Sequence, residues 1–146
     1  MPDIILRRYA PADHAAAIAL WHACGLHPGQ SDTPEGLVRK LERDPDLFIL
    51  AIDNGAVIGS VMGSYDGRRG WINRLAVAPT HRGQGLADRL MDEVQRRMVA
   101  IGCVKVNLLI EPENAGVQAY YERLGFGADP LIFMEKWLGQ PAGDTQ

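Results

Sequence analysis

The sequence contains only two cysteines, Cys24 and Cys103, and no hydrophobic run approaching the ~20 residues needed to span a bilayer. The cysteines form no pattern typical of a disulfide framework or a zinc site, and their neighbours are apolar, so we expect both to be reduced and buried. The N-terminus lacks an apolar signal core. These scarcities predict a cytoplasmic protein without membrane association.

The sequence also lacks the features of a nucleic-acid-binding protein and of a metal site. Basic residues number 15 against 18 acidic ones, and the net charge is -3, whereas a nucleic-acid interface needs a concentrated basic face. His22, Cys24 and His27 are close in sequence but lack a fourth ligand and a paired Cys-x-x-Cys motif. We therefore expect neither a nucleic-acid partner nor a metal.

The length of 146 residues and the hydrophobic content of 47% suit a single domain with its own core. We expect this domain to cover residues 1–138. Residues 139–146 offer little apolar surface for burial and are predicted to be a disordered tail. We expect either a monomer or a homodimer.

The pattern of predicted elements indicates an α/β (α+β) fold. Trp71 to Val77 is a predicted central strand, a helix follows from Gly83 to about Ile101, and Val104 to Ile110 is an apolar strand. Such a strand–helix–strand unit implies a right-handed parallel crossover. Asn114 to Leu124 is a predicted shorter helix, and Phe126 to about Trp137 should return as the last strand or strands. Earlier in the chain, the predicted strands are Ile4 to Tyr9, Leu47 to Ile52 and Ala56 to Tyr65, the last two joined by a tight hairpin at Asp53-Asn54-Gly55. Together these elements give a mixed, mostly antiparallel sheet of about six to seven strands with about four helices.

The most informative stretch runs from the end of the central strand through a glycine-rich turn into the long helix. Gly83 and Gly85 allow backbone N–H groups to converge, and the helix N-terminus adds unpaired donors and the positive end of its dipole. This stretch is therefore a predicted site for a phosphorylated ligand. It lacks the Gly-Lys-Ser/Thr of a P-loop, and Asp88 stands where the dinucleotide fingerprint needs a third small residue.

The spacing Arg82-x-x-Gly85-x-Ala87 resembles the Arg/Gln-x-x-Gly-x-Gly/Ala signature of the GNAT (Gcn5-related) N-acetyltransferase family, which cradles the pyrophosphate of acetyl-coenzyme A. The block from Tyr65 to Trp71 and the block from Asn114 to Phe126 extend this resemblance over nearly the whole chain. The block from Tyr65 to Trp71 and the segment Leu20-Trp21-x-x-Cys24-Gly25-Leu26 are most similar to the YpeA-like branch. The resemblance implies the GNAT fold and acetyl-coenzyme A as acyl-donor cosubstrate.

The resemblance also implies which residues bind the cofactor. The backbone of the central strand would hydrogen-bond the pantetheine arm as an added strand does, and the turn would bind the pyrophosphate. Asn114 would contact the cofactor arm and, at the start of its helix, would also be the N-cap. The implied set is Leu75, Ala76, Val77, Arg82, Gly83, Gln84, Gly85, Leu86, Ala87 and Asn114.

Two residues are candidates for the catalytic chemistry. Tyr121 stands where the family keeps a tyrosine that protonates the departing thiolate, and its alternative is an aromatic that closes the helix against the sheet. A base is needed because a lysine-like amine has a pKa of about 10.4. The positions of the family's glutamates hold Asn73 and Leu109 here. Glu111, expected on the same strand face as Leu109, is the candidate base; a solvated strand-end carboxylate is the equally supported alternative.

The acceptor pocket is expected beside the loop from Gly25 to Asp32. By the resemblance, this loop, with Trp21 and His22 at the helix end before it, borders the pocket. Tyr65 and Asp66 could form another wall, although Asp-Gly is also simply a good turn.

Two functions follow from these residues. The first is an acetyltransferase that acts on a primary amine of a small molecule, peptide or protein N-terminus by direct attack in a ternary complex, since no cysteine stands where the resemblance would put an acyl-accepting nucleophile. The second is a non-catalytic acyl-coenzyme A sensor or interaction domain. The missing glutamates favour the second function, and Tyr121 favours the first.

Overall fold

The computed structural model describes residues 3–139 of the chain. Its strands are β1 (Ile4–Arg8), β2 (Phe48–Asp53), β3 (Ala56–Tyr65), β4 (Gly70–Val77) and β5 (Val106–Asn107). Its α-helices are α1 (His14–Ala23), α2 (Pro34–Arg43), α3 (Leu86–Ala100) and α4 (Gln118–Arg123). Four short 3-10 helices cover Pro11–Asp13, Gln30–Asp32, Pro79–His81 and Pro112–Val117.

The strands form one sheet in the order β1-β2-β3-β4-β5. The first four are antiparallel neighbours, and β5 runs parallel to β4 after the α3 crossover. This confirms the predicted α/β fold with a mostly antiparallel sheet, one parallel βαβ unit and four α-helices. Among residues 3–139, no helix is both long and apolar enough to cross a membrane.

The predicted number of strands is wrong, because the described residues form five. β5 contains Val106 and Asn107 rather than the whole span from Val104 to Ile110, and the span from Phe126 to Trp137 contains no strand. β5 pairs with β4 on one side, and no described strand lies on its other side. Apolar β-formers make a strand only where a neighbouring edge accepts their backbone hydrogen bonds, so composition overestimates the sheet.

Helices cover both faces of the sheet and bury two apolar clusters. On one face α3 packs against the middle strands, and its buried residues are Leu86, Leu90, Met91, Val94 and Met98. On the other face α1 and α2 pack against β2, with Leu20, Trp21 and Leu37 buried beside Phe48 and Leu50. Strands with both faces covered need apolar residues at successive positions, which explains the continuous burial of β2 from Phe48 to Ile52.

Two glycines bring α3 close to the sheet. A Cβ atom at Gly63 would lie 2.9 Å from Val94 Cγ2, and one at Gly70 would lie 2.8 Å from Met98 Cε. These distances are too short for real side chains, so the strands must be glycine there for α3 to pack. Cys103 is buried and Cys24 is half-buried, and both are free thiols. The packing of α3 fixes its N-terminus beside the carboxyl end of β4.

Candidate active site

The parallel strands β4 and β5 pair only at their beginnings. Gly70 is opposite Val106 and Trp71 is opposite Asn107, after which β5 ends while β4 continues to Val77. The β5-facing edge of β4 therefore has no strand neighbour from Ile72 onward in the described structure. Such an edge offers backbone donors and acceptors to an extended ligand.

The predicted cofactor residues of β4 lie on this open stretch. Ala76 is buried, whereas Leu75 and Val77 are half-buried. The carbonyl of Val77 already accepts a hydrogen bond from Arg82 Nε at 3.0 Å, and Cys24 Sγ lies 3.4 Å from the same oxygen. The strand end is thus tied to the turn after it and to the end of α1.

The glycine-rich turn joins β4 to the N-terminus of α3. Gly83 and Gly85 have φ angles of +80° and +75°, in the left-handed region that side-chain-bearing residues rarely adopt, and Gly85 is the N-cap of α3. No atom lies within 4 Å of an ideal Cβ at either glycine. Backbone conformation, rather than space within the protein, requires glycine here. Leu86 is buried and anchors the first turn of the helix, whose N–H groups stay available to an anion.

A histidine holds this turn against the neighbouring hairpin. His81 Nε2 lies 2.7 Å from Asp53 Oδ2 at the end of β2, and His81 Nδ1 lies 2.8 Å from Thr80 Oγ1. Sequence reasoning predicted only a hairpin turn at Asp53 and did not find this contact. Nothing in the local sequence signals it, because the partners are 28 residues apart.

A β-bulge interrupts β4 before the cofactor stretch. Ser60 of β3 pairs with Ala76 and Met62 pairs with Asn73, so β4 contains one extra residue between these two pairs. Arg74 has a φ of +54°, which costs free energy for a residue with a Cβ and is concentrated at functional sites. The sequence carried a signal that the prediction missed: adjacent polar residues, Asn73 and Arg74, break an apolar strand.

The bulge directs the Arg74 side chain into the loop predicted to border the acceptor. Its guanidinium is 2.5 Å from Asp32 Oδ2, 4.9 Å from the centre of the Trp21 ring and 3.3 Å from the carbonyl oxygen of His27. Asp32 also accepts a 2.8 Å hydrogen bond from the backbone N–H of Gly29. The side chains of Arg74 and Asp32 are only 16% and 7% exposed, so this ion pair is largely removed from water.

A second set of hydrogen bonds fixes α1 to the same bulge. Trp21 Nε1 donates to Ser60 Oγ at 2.9 Å, and Ser60 Oγ donates to the carbonyl oxygen of Arg74 at 2.7 Å. Trp21 is fully buried, whereas His22 on the last turn of α1 is exposed. Trp21 therefore supports the loop from beneath, and His22 faces solvent.

The other two predicted substrate residues lie at the opposite end of β4. Tyr65 pairs with Gly70, and the eight-residue strand places this pair about 23 Å from Val77. The Tyr65 hydroxyl donates toward the Gly102 carbonyl oxygen, 3.2 Å away. Asp66 accepts hydrogen bonds from the two backbone N–H groups that follow the turn, at 2.8 Å and 2.7 Å, and these bonds lower the pKa of its carboxyl. The structure thus does not bring Tyr65 and Asp66 to the glycine-rich turn.

Tyr121, the predicted proton donor, lies on α4 and packs on the α3 side of the sheet. Its ring makes edge-to-face contacts with Tyr120 and Phe126, with centroids 5.3 Å and 5.7 Å apart. Burial raises the pKa of its phenol, and its hydroxyl has no hydrogen-bond partner among residues 3–139. The neighbouring Tyr120 hydroxyl donates to Asp88 Oδ1 at 2.8 Å, which ties α4 to the first turn of α3.

Two other predicted residues lie in a different local structure from the one expected. Glu111 is exposed and precedes a 3-10 helix; β5 ends at Asn107, so Glu111 and Leu109 share no strand face. Asn114 is not an N-cap, because it lies inside that 3-10 helix and donates its backbone N–H to the Glu111 carbonyl oxygen at 2.8 Å. Helical structure begins at Pro112, two residues before the predicted start at Asn114. Glu111 therefore directly precedes the helical turn, and Asn114 lies within it. Within the described range, no three potential metal ligands cluster.

The geometry defines a class of protein: an α/β domain in which a glycine-rich helix N-terminus lies beside an open strand edge. Comparison with known proteins makes this class specific. The Acetyltransferase (GNAT) family matches residues 15–126. An acetyltransferase of Pectobacterium atrosepticum is 38% identical over 133 residues, which cover 91% of this chain and 94% of that protein.

Solved structures agree at the level of the fold. The PaiA N-acetyltransferase of Thermoplasma acidophilum in complex with coenzyme A has a TM-score of 0.77 at 16% identity, covering 89% of this chain and 93% of that chain. A predicted acetyltransferase of Clostridium acetobutylicum with acetyl-CoA has a TM-score of 0.74 at 18% identity, covering 92% and 96%. This chain belongs to the GNAT family of acetyltransferases. The prediction of an acetyltransferase is confirmed, and the YpeA-like branch stays a prediction.

The ion pair between Arg74 and Asp32 predicts a large stability difference between two aspartate substitutions. Asp32→Ala leaves the buried guanidinium without its carboxylate, and the free energy of unfolding should fall by about 3 kcal/mol. Asp46→Ala removes an exposed ion pair with Arg8, whose side chains are 60% and 63% exposed, and should cost under about 1 kcal/mol. Urea unfolding checks both values. Equal losses would show that the Arg74 pair does not hold the loop.

Proposed function

We propose that this chain transfers the acetyl group of acetyl-coenzyme A to a primary amine by direct attack within a ternary complex. The observation that carries the proposal is the adjacency of the turn from Arg82 to Ala87 and the open edge of β4. The turn offers convergent backbone donors and a helix dipole to the pyrophosphate. The strand edge offers hydrogen bonds to the amide groups of the pantetheine arm.

The proposed cofactor path runs from the turn along β4. Gly83, Gln84 and Gly85 contact the phosphates through their backbone N–H groups, with Leu86 and Ala87 continuing into the helix. Arg82 has its Nε bound to the strand end, which leaves its terminal guanidinium nitrogens for a phosphate oxygen. Leu75 and Ala76 face the arm, and Asn114 approaches it from the segment after β5. The acetyl group then lies near the bulge at Arg74.

A charge at Gly85 should weaken this binding. Gly85→Asp imposes side-chain strain at a left-handed φ and places a carboxylate where the phosphates bind, so the Kd for acetyl-coenzyme A should rise at least about tenfold. Gly67→Asp is the matched control, because Gly67 also has a left-handed φ, of +95°, with open space around its Cβ, but lies at the other end of β4. Calorimetry of the two folded variants tests the assignment. An unchanged Kd in Gly85→Asp contradicts it.

The acceptor is proposed to enter beside the loop from Gly25 to Asp32, with His22 exposed at its rim. An amine must lose a proton before it can attack, and Asn73 and Leu109 provide no carboxylate to accept it. Glu111 is the proposed base, directly or through water, and it is exposed to solvent. A site without a carboxylate on the central strand favours amines that are already unprotonated. At pH 7.5 about a third of an α-amino group is free base, against about one in a thousand lysine side chains.

This reasoning predicts a preference for α-amines over lysine side chains. Two peptides of matched sequence test it: one with a free N-terminus and no lysine, the other N-acetylated and bearing one lysine. Thiol release from acetyl-coenzyme A should give a kcat/KM at least about tenfold higher for the first peptide at pH 7.5. The rate with the second should rise about tenfold per pH unit, as its free-base fraction does. Equal rates at pH 7.5 would indicate a strong base in the site.

Tyr121 is proposed as the acid that protonates the departing thiolate. In the reaction the amine nitrogen forms a bond to the acetyl carbon and loses a proton to the proposed base, Glu111, directly or through water. The carbon–sulfur bond breaks, the sulfur takes the proton of the phenol, and the phenolate regains a proton from solvent. Burial raises the pKa of Tyr121 above its usual value, so the hydroxyl stays protonated through neutral and mildly alkaline pH. A thiolate with a pKa near ~8.5 can also leave unprotonated, so the benefit is moderate.

Removal of this hydroxyl should lower turnover without loosening the fold. Tyr121→Phe keeps the ring that packs on Phe126, so kcat should fall about a hundredfold or more while cofactor affinity and stability change little. Because burial raises the pKa of Tyr121, the wild-type rate should decline only at a pH above the usual phenol pKa of about 10, and the variant should lack that decline. Tyr9→Phe is the control, because the Tyr9 hydroxyl is buried in the core without a described partner. A Tyr121→Phe enzyme with wild-type kcat would leave the tyrosine as core packing.

A further inference from the structure

The first half of β4 has one covered face and one open face. Ile72 is buried in the cluster beneath α3. Trp71 and Asn73, its neighbours along the strand, point to the opposite face, and both are exposed, Trp71 at 38%. Asn73 pairs with Met62, which belongs to the cluster beneath α1 and α2. An acceptor therefore reaches Asn73 from the α1 and α2 side of the sheet.

Helix α2 borders this open face, and the surface between them is here called the α2–β4 groove. The helix begins just after Asp32, whose carboxylate binds Arg74 at the bulge. Toward its other end, Lys40 Nζ lies 2.7 Å from Ser64 Oγ, and Ser64 pairs with Trp71. The groove thus runs from the bulge to the start of β4, which is about 13 Å for four residues of strand.

Exposed basic residues lie at the start of β4, and together they are called the basic cluster: Arg43, Arg68, Arg69 and Lys105. Arg43 Nη2 donates to the Tyr65 carbonyl oxygen at 3.1 Å, and Gly70 N donates to the Lys105 carbonyl oxygen at 3.2 Å. None of the four forms an ion pair within residues 3–139. Asp66, the acid of this turn, accepts hydrogen bonds from two backbone N–H groups. This end of the groove therefore has an excess of positive charge.

We propose that the α2–β4 groove binds an acceptor peptide that is acidic a few residues after its N-terminus. The orientation rests on the proposed function: the α-amine lies at Asn73, beside the acetyl group, and the peptide runs over Trp71 to the basic cluster. Extended residues of about 3.3 Å each bring the fourth and fifth positions of the peptide to the cluster. Carboxylates there meet arginines that have no other ion-pair partner and can bind them through two parallel hydrogen bonds.

Two features favour a short acidic peptide as the occupant. The chain as a whole has a net charge of -3, so the basic cluster is a local exception to an acidic surface. A nucleic acid needs a basic face that follows many phosphates, whereas this cluster occupies one end of a groove. The indole of Trp71 adds a flat, apolar surface between Asn73 and the cluster, on which a peptide packs whatever its side chains.

Fluorescence anisotropy of two labelled peptides tests the proposal without requiring turnover. Both peptides have a free N-terminus, no lysine and a label at the C-terminus; one has glutamate at the fourth and fifth positions, and the other has glutamine there. With coenzyme A present at an ionic strength of about 0.01 M, the Kd of the glutamate peptide should be lower by about tenfold or more. The difference should shrink at about 1 M salt, where the screening length falls to about 3 Å.

Two pairs of substitutions locate the site. Arg43→Gln with Arg68→Gln should raise the Kd of the glutamate peptide to that of the glutamine peptide. Arg8→Gln with Arg96→Gln is the matched control, because it removes the same charge from side chains that are 60% and 68% exposed elsewhere, and it should keep the preference. Trp71→Ala should raise both Kd values by a similar factor. Circular dichroism of each variant verifies that these exposed substitutions leave the fold intact.

Thiol release from acetyl-coenzyme A with the same peptides separates this proposal from the proposed function. Selective binding without thiol release contradicts acetyl transfer to α-amines and supports the acidic-peptide site. Equal Kd values, or no binding of either peptide, overturn the site even where thiol release shows transfer to an amine. A preference that survives Arg43→Gln with Arg68→Gln, or that the control pair also removes, overturns it as well. So does a single-stranded oligonucleotide that binds more tightly than the glutamate peptide and displaces it.

Discussion

The buried ion pair of Arg74 and Asp32 is the interaction on which the arrangement of this site depends. A β-bulge in β4 gives Arg74 a left-handed φ, and the resulting direction of its side chain brings the guanidinium to Asp32 and over Trp21. Removal of two charges from water is costly unless each is paired and hydrogen-bonded. The backbone N–H of Gly29 donates a hydrogen bond to the Asp32 carboxylate, which offsets part of this cost. One extra residue in a strand thereby brings Arg74 to a carboxylate in the loop from Gly25 to Asp32.

The proposed cofactor site depends on backbone geometry more than on side-chain identity. The packing of α3 across β3 and β4, close at Gly63 and Gly70, determines where its N-terminus lies. The pair of His81 and Asp53 then holds the turn before it against the β2–β3 hairpin. Because the donors are N–H groups, most side chains of β4 and α3 remain free to build the core. Site and core therefore use the same residues without conflict.

The chemistry proposed for this chain is asymmetric, with a buried candidate acid and only an exposed candidate base. Burial keeps the Tyr121 phenol protonated, which suits a proton donor. Glu111 lies beyond the end of β5 in contact with solvent. In the proposed mechanism the acceptor must arrive as free base, so the amine's own pKa would contribute to specificity. In this proposal, the class of acceptor depends on Asn73, because an asparagine at this position cannot accept the proton of a charged amine.

The sequence by itself determined the α/β class, the parallel crossover of β4, α3 and β5, and the glycine-rich turn, because each depends on local periodicity, turn chemistry and left-handed backbone at Gly83 and Gly85. Tertiary structure alone decided the contacts of Arg74 with Asp32 and of His81 with Asp53, whose partners are 42 and 28 residues apart. It also separated Tyr65 and Asp66 from the turn by the length of a strand. Whether the apolar residues after Phe126 form a strand was likewise a tertiary question, since a strand exists only where another edge receives its hydrogen bonds.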